Sequence, residues 1–179
     1  MYIKRIVTGH DSAGRSCVVS SGRLPGTESF VHSPGFSAAV VWQTTSSPRV
    51  GDEAEAPEVP LTSVLPGPGG TSAILVTFPP SDQSVEGFDP QAATAELCER
   101  LPGLGELFEA DEPGFHRTDS IDYGVVLDGE IILELDDGCT SVLQSGDIVI
   151  QMGTRHAWRN AGSTPAKLLF VMVAAGRMP

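Results

Sequence analysis

The sequence predicts a mainly antiparallel β fold, a sandwich or barrel of the jelly-roll kind. Three observations carry this. Apolar runs follow one another closely after residue 115: IDYGVVL, EIILELD, CTSVLQ, DIVIQM and AKLLFVMVAA. They are broken at Asp128-Gly129, Asp137-Gly138 and Ser145-Gly146. An Asp-Gly pair between apolar runs is the strongest short-range hairpin signal, and strands spaced by roughly 8–12 residues indicate an all-β sandwich or barrel. Only one stretch reads as a helix of any length, too little for an α/β fold.

Earlier in the chain, residues 3–8 and 16–20 read as strands around the loop GHDSAGR, and 37–43 reads as a third strand after the turn-like SPG at 33–35. The stretch 47–70 is rich in proline and lacks periodicity; it reads as a long surface loop whose acidic run, 52–58, is solvated. A strand, SAILVTF at 72–78, follows and is stopped by Pro79 and Pro80. Residues 91–101 are the helix candidate, ended by Pro102-Gly103, with Leu97, Cys98 and Leu101 as its apolar stripe. Cys98 there is expected to pack rather than react. The alternation Ile131, Leu133, Leu135 marks a core-facing strand. A chain of 179 residues suits one domain. Within it, 1–70 is expected to supply strands and a loop that extend the barrel formed by 71–179.

Composition excludes several functions. With 11 basic and 23 acidic residues the net charge is −12, which disfavours nucleic acid and anionic membrane surfaces as partners. No apolar run approaches the ~20 residues of a membrane helix, and the opening MYIKRIVTGHDSAG lacks a signal-peptide core. Three scattered cysteines form no CxxC pair, so a disulfide framework is not expected and a reducing cytoplasm fits. There is no GxSxG elbow and no P-loop; GPGG at 67–70 lacks the Lys-Ser/Thr that phosphate binding needs. NAD and ATP are not implied.

Chemistry concentrates in GFHRTDSIDYGVVLDGE (114–130) and SGDIVIQMGTRHAWRN (145–160). Alternate residues of an extended segment share a face, so His116, Thr118, Ser120 and Asp122 fall on one side, and His156 and Trp158 share another. An inward face bearing His and Asp needs hydrogen bonds, a metal or a wet pocket. His116 and His156 are therefore expected inside the barrel with Asp122 on the same wall. Tyr123 falls on the opposite face from Asp122; it is a packing residue by parity and a candidate substrate contact by chemistry. Arg117 and Arg155 flank the histidines; they are expected to face outward, with side chains long enough to reach round to a substrate carboxylate. His10 and His32 lie in loops and read as surface residues.

These two segments resemble the paired motifs of the cupin superfamily, a small β-barrel family of jelly-roll type. His116 falls on the first motif's leading His, Thr118 on its second His, and Asp122 on its Glu, with VVLDGE (125–130) as the hairpin. The second motif runs from Gly146 through Asp147 to His156 and Asn160, one residue short before its His. The resemblance implies a metal site. Here His116, Asp122 and His156 would be the surviving ligands for one divalent ion (Fe, Zn, Mn or Ni), because Thr118 is a poor ligand. It equally permits a metal-free site working with histidine acid/base chemistry. The expected function is a small-molecule enzyme of secondary metabolism, a dehydratase, decarboxylase, cyclase or isomerase. His116, His156 and Asp122 would be its catalytic residues, and Trp158, Thr118 and Tyr123 its substrate contacts. An Fe(II) dioxygenase and a non-catalytic ligand-binding cupin stand as alternatives. The substrate is expected to be hydrophobic, and cupins commonly form homodimers.

Overall fold

A computed structural model describes residues 2–50, 62–81 and 87–178. The acidic run 52–58 lies outside these residues. Ten strands are present in them: β1 (Lys4–His10), β2 (Ser16–Arg23), β3 (Ser37–Thr44), β4 (Thr71–Phe78), β5 (Ser120–Asp128), β6 (Glu130–Glu134), β7 (Thr140–Gln144), β8 (Ile148–Gln151), β9 (Ala157–Arg159) and β10 (Ala166–Ala174). The helix α1 spans Pro90–Arg100, and single 3₁₀ turns occupy Gly105–Leu107 and Asp136–Gly138. No helix among the described residues is long and apolar enough to cross a membrane.

One sheet has the order β3-β4-β10-β5-β8 and a second the order β7-β6-β9, with every pairing antiparallel. Ile74, Val76, Val126, Leu168, Phe170 and Met172 of the first sheet pack with Ile131 of the second, and Trp158 and Leu143 close on them. Strand parity explains this core. Along β5 and β10 the even-numbered residues are buried as far as Val126 and Met172, while the odd ones are partly or well exposed. At Gly124 a Cβ would come within 2.7 Å of Val149 Cγ1 and 3.0 Å of Phe170 Cε1, so glycine lets these two side chains meet across the strand. Between β6 and β7, Asp137 and Gly138 both take positive φ, 58° and 71°, as a tight primed hairpin turn requires.

The N-terminal strands divide. β3 joins the larger sheet beside β4, whereas among the described residues β1 and β2 pair only with each other. The expectation that all strands of 1–70 extend the barrel sheets is corrected for this hairpin. Its base is tied down by Leu24, whose N–H donates to Ile3 and whose side chain packs with Ala39 and Leu75 on the outer face of the sheet.

Helix α1 starts one residue before the sequence suggests. Asp89 caps it by accepting from the N–H groups of Gln91 and Ala92, and Pro90 fills the first turn. The helix clamps the segment before β3. Glu96 accepts the backbone N–H groups of Val31 and His32, both at 2.7 Å, and the Arg100 guanidinium lies 4.1 Å from the Phe30 ring. Arg100 also donates to the carbonyls of Gly26, Glu28 and Ser29. Leu101 and Leu104, just beyond the helix, enter the core.

Candidate active site

His116 lies before β5 and His156 before β9, and an antiparallel bridge joins them through both backbone pairs, N–H to carbonyl at 3.0 Å each way. This bridge sets the two rings side by side, with centroids 4.4 Å apart. Both histidines are buried, as the shared-face reading requires. Aromatic rings continue the line in each direction. Phe108 stacks on His116 at 4.3 Å, Trp158 meets His156 edge-on at 5.8 Å, and Phe170 follows Trp158 at 5.4 Å.

Each imidazole is oriented by a backbone carbonyl. His116 Nδ1 lies 3.1 Å from the oxygen of Gly114, and His156 Nδ1 lies 3.0 Å from that of Thr154. A carbonyl can only accept, so a neutral ring must carry its proton on Nδ1 and leave a lone pair on Nε2. Burial favours that neutral form. It pushes His116 down to about 4, helped by the nearby charge of His156 and opposed by the Gly114 carbonyl and Glu109. Burial also holds His156 below its ordinary value, against the Thr154 carbonyl.

Asp122, on β5, is buried on the same wall. The Ser120 hydroxyl donates to its Oδ1 at 2.5 Å, and Thr118 Oγ1 stands 2.9 Å from that hydroxyl. Burial raises the Asp122 carboxyl above its usual range, while the Ser120 and Thr118 hydroxyls pull the other way. Among the described residues, no group of three or more His, Cys, Asp or Glu side chains is gathered to hold a metal ion. The histidines meet, but Asp122 does not complete a three-ligand set with them. Its carboxyl is engaged with Ser120, and the family's second His position is a threonine. The residues present do not fit the metal that the motif resemblance implies.

Together these groups border a cavity of about 340 Å³. Its polar wall is His116, Thr118, Asp122, His156 and Trp158. Most of its apolar wall comes from elsewhere, from Phe36 and Ala38 at β3, from Ile74, Val76 and Phe78 of β4 and from the leucines at the end of α1, with Phe108, Phe170 and Met172 completing it. Among the described residues, no lysine or arginine borders it.

Tyr123 does not reach this cavity. Alternation along β5 turns it to the outer face, where it is about half exposed (49%). Its candidacy as a substrate contact is corrected accordingly, and an apolar outer patch of Tyr123, Leu127, Ile148, Ile150 and Met152 surrounds that position. Arg155 also turns outward. It pairs with Glu109, Glu112 and Asp136 and covers the Phe115 ring at 3.9 Å, which pins the backbone on either side of the histidine bridge. Asn160 is buried and ties the turn after β9 to β4, donating to the carbonyls of Phe78 and Thr164. Sequence reasoning missed Phe108, which lines the cavity from an irregular segment with no periodicity.

Comparison with known proteins agrees with this geometry. Residues 108–172 match the cupin domain family. Phomopsin biosynthesis cluster protein C' of Diaporthe leptostromiformis is 49% identical over 81 residues, covering 42% of this chain and 43% of that protein. Oryzines biosynthesis cluster protein J of Aspergillus oryzae is 42% identical over 87 residues, 48% of this chain and 45% of the relative. The cupin-domain-containing oxidoreductase fogC of Aspergillus ruber is 36% identical over 84 residues, 45% and 38% respectively. The chain matches less than half the length of each of these relatives. The match spans Phe108, both histidines and seven residues of the central strand β10, so the segment that carries the histidine bridge is the part of this chain similar to a cupin domain.

Proposed function

We propose that this chain is a small-molecule enzyme of secondary metabolism that moves protons inside an apolar cavity, as a dehydratase, decarboxylase, cyclase or isomerase. The observation that carries this is the pair of buried imidazoles, each held through Nδ1 by a carbonyl, on the wall of an otherwise apolar cavity. Names of relatives from biosynthesis clusters support the metabolic context.

His156 is the general base. Its Nε2 lone pair takes a proton from an activated carbon, and its charge in turn keeps the adjacent His116 neutral. Asp122, with its raised proton affinity, is the acid that returns a proton to the neighbouring carbon or to a departing oxygen. Ser120 and Thr118 steady the carboxyl. Phe108 and Trp158 exclude water beside the rings and flank a hydrophobic substrate. The described lining residues include no basic side chain, which argues against phosphorylated substrates.

The test is proton exchange. Incubated in deuterium oxide with extracts of candidate precursors, the protein should install one deuterium in a single compound, and His156→Gln should not. Elemental analysis accompanies it: turnover that persists after chelation supports the metal-free reading, and a stoichiometric metal required for turnover overturns it. A second reading, oxidation, is favoured by four relatives named cupin-domain-containing oxidoreductases. Oxygen consumption coupled to product formation would select it.

A further inference from the structure

His116 borders the cavity but has no step in the proton transfer above. Its Nδ1 faces the Gly114 carbonyl at 3.1 Å, so in the neutral ring Nδ1 holds the proton and Nε2 carries the lone pair. Phe108, stacked on the ring at 4.3 Å, fixes its plane. Among the described residues, the one side-chain nitrogen or oxygen that is both sealed in the interior and without a partner is Gln151 Nε2. His116 Nε2 has no hydrogen-bond partner among them either, so it is not sealed. It keeps open surface, and the open space beside this buried ring is the cavity it borders.

The lone pair also persists when the neighbouring ring is charged. The two imidazoles lie 4.4 Å apart between centroids, and none of the ion pairs among the described residues includes either. Two imidazolium charges so close, without a paired carboxylate, repel too strongly to coexist in an apolar interior. When His156 takes up a proton, His116 therefore stays neutral and its Nε2 stays an acceptor. The hydroxyls of the wall are turned elsewhere: Ser120 donates to Asp122, and Thr118 stands against Ser120. A buried acceptor facing an apolar cavity needs a donor, and the bound molecule is what can bring one. An ammonium group would need a carboxylate of its own, and Asp122 is already engaged by Ser120. A hydroxyl is the uncharged donor that fits.

We propose that His116 Nε2 accepts a hydrogen bond from a hydroxyl of the bound substrate, which makes that substrate a phenol, an otherwise apolar aromatic compound held between Phe108 and Trp158. This rests on the proton-transfer reading above and deepens it. The hydroxyl anchors the molecule at His116 while the adjacent His156 works on a neighbouring carbon. The O–H bond stays intact, and no bond is made or broken at His116.

Three probes test this. 4-Ethylphenol and ethylbenzene differ by one hydroxyl, and 4-ethylanisole caps that hydroxyl with a methyl group. Their affinities are measured by calorimetry in the wild type and in His116→Phe, which keeps a ring but removes the lone pair. In the variant the affinity of 4-ethylphenol relative to ethylbenzene should fall about five-fold, the worth of one neutral hydrogen bond. That of 4-ethylanisole relative to ethylbenzene should stay as it was. Nitrogen-15 NMR of the wild type with labelled histidine needs no variant to fold. The His116 Nε2 signal, at the frequency of an unprotonated imidazole nitrogen, should move upfield with 4-ethylphenol and stay in place with ethylbenzene. An unchanged affinity ratio in the folded variant, or an Nε2 signal indifferent to 4-ethylphenol, overturns the assignment and leaves His156 standing as the base. If none of the three probes binds, the cavity is not the substrate site, and the proton-transfer reading falls with it.

Discussion

The two walls of the cavity differ in chemistry and in where along the chain they arise. The polar wall, from His116 to Trp158, falls entirely within the residues that match the cupin domain. Most of the apolar wall is built by β3, β4 and the end of α1, which precede that match, while Phe108, Phe170 and Met172 add to it from within. Its side chains make no hydrogen bonds and transfer no protons; they shape the volume and supply the burial that keeps the imidazoles neutral. Reactivity is thus written in one stretch of sequence and most of the fit in another, whose own parts, α1 and the segment before β3, are held together by the clamp of Glu96 and Arg100.

The polar wall should break in activity before stability. His156→Ala should lower turnover by about 10²–10⁴-fold, the usual worth of a general base, while the melting temperature moves little. A melting loss as large as that of a core truncation would mean the ring is structural. The apolar wall should show the reverse. Leu101→Ala empties a site only 3% exposed and should cost about 2–5 kcal/mol in denaturant unfolding, with weaker substrate binding at undiminished maximal rate.

A third measurement reads one wall through the other. His116 holds its proton only near pH 4 when folded, against 6.5 as its ordinary value. As pH falls through 6.5, the unfolded chain takes up a proton that the folded chain refuses until about 4. Stability therefore stays whole above 6.5 and drains away between 6.5 and 4, by up to about 3 kcal/mol. Asp122 has the opposite sign, since its raised folded affinity returns stability as pH falls toward its own range. Melting temperature against pH in wild type and His116→Gln isolates the first effect: the slope between 6.5 and 4 should flatten in the variant. The smallest expected change is at Arg155. Its solvent-screened pairs with Glu109, Glu112 and Asp136 predict only a small loss of stability for Arg155→Gln, shrinking in high salt.

The same division explains what the sequence made legible. Asp-Gly turns and alternating strands are local signals, so β5 to β8, β10 and the inward parity of His116, Asp122 and His156 could be read directly. β9 could not: three residues show no periodicity, and it exists because Leu133 and its neighbours offer it an edge. The apolar wall was equally hidden. Phe36, Leu97 and Leu104 are ordinary hydrophobic residues until the Glu96 clamp brings them to the cavity, a contact between segments about 65 residues apart. Tyr123 illustrates the converse, because alternation had already placed it on the outer face and the chemical appeal of a phenol argued against that parity.

The position of β10 has a consequence for how the chain comes to be folded. This strand lies between β4 and β5, hydrogen-bonded to both, although it follows them by some ninety and forty residues. During synthesis both neighbours leave the ribosome long before the strand that must separate them. Until Ala166–Ala174 emerges, β4 and β5 carry open edges and the apolar faces of Ile74, Val76 and Val126 lack their cover. Closure is therefore a late, long-range event of high contact order, slow compared with the local hairpins that precede it. The nascent chain is most prone to aggregate in that interval.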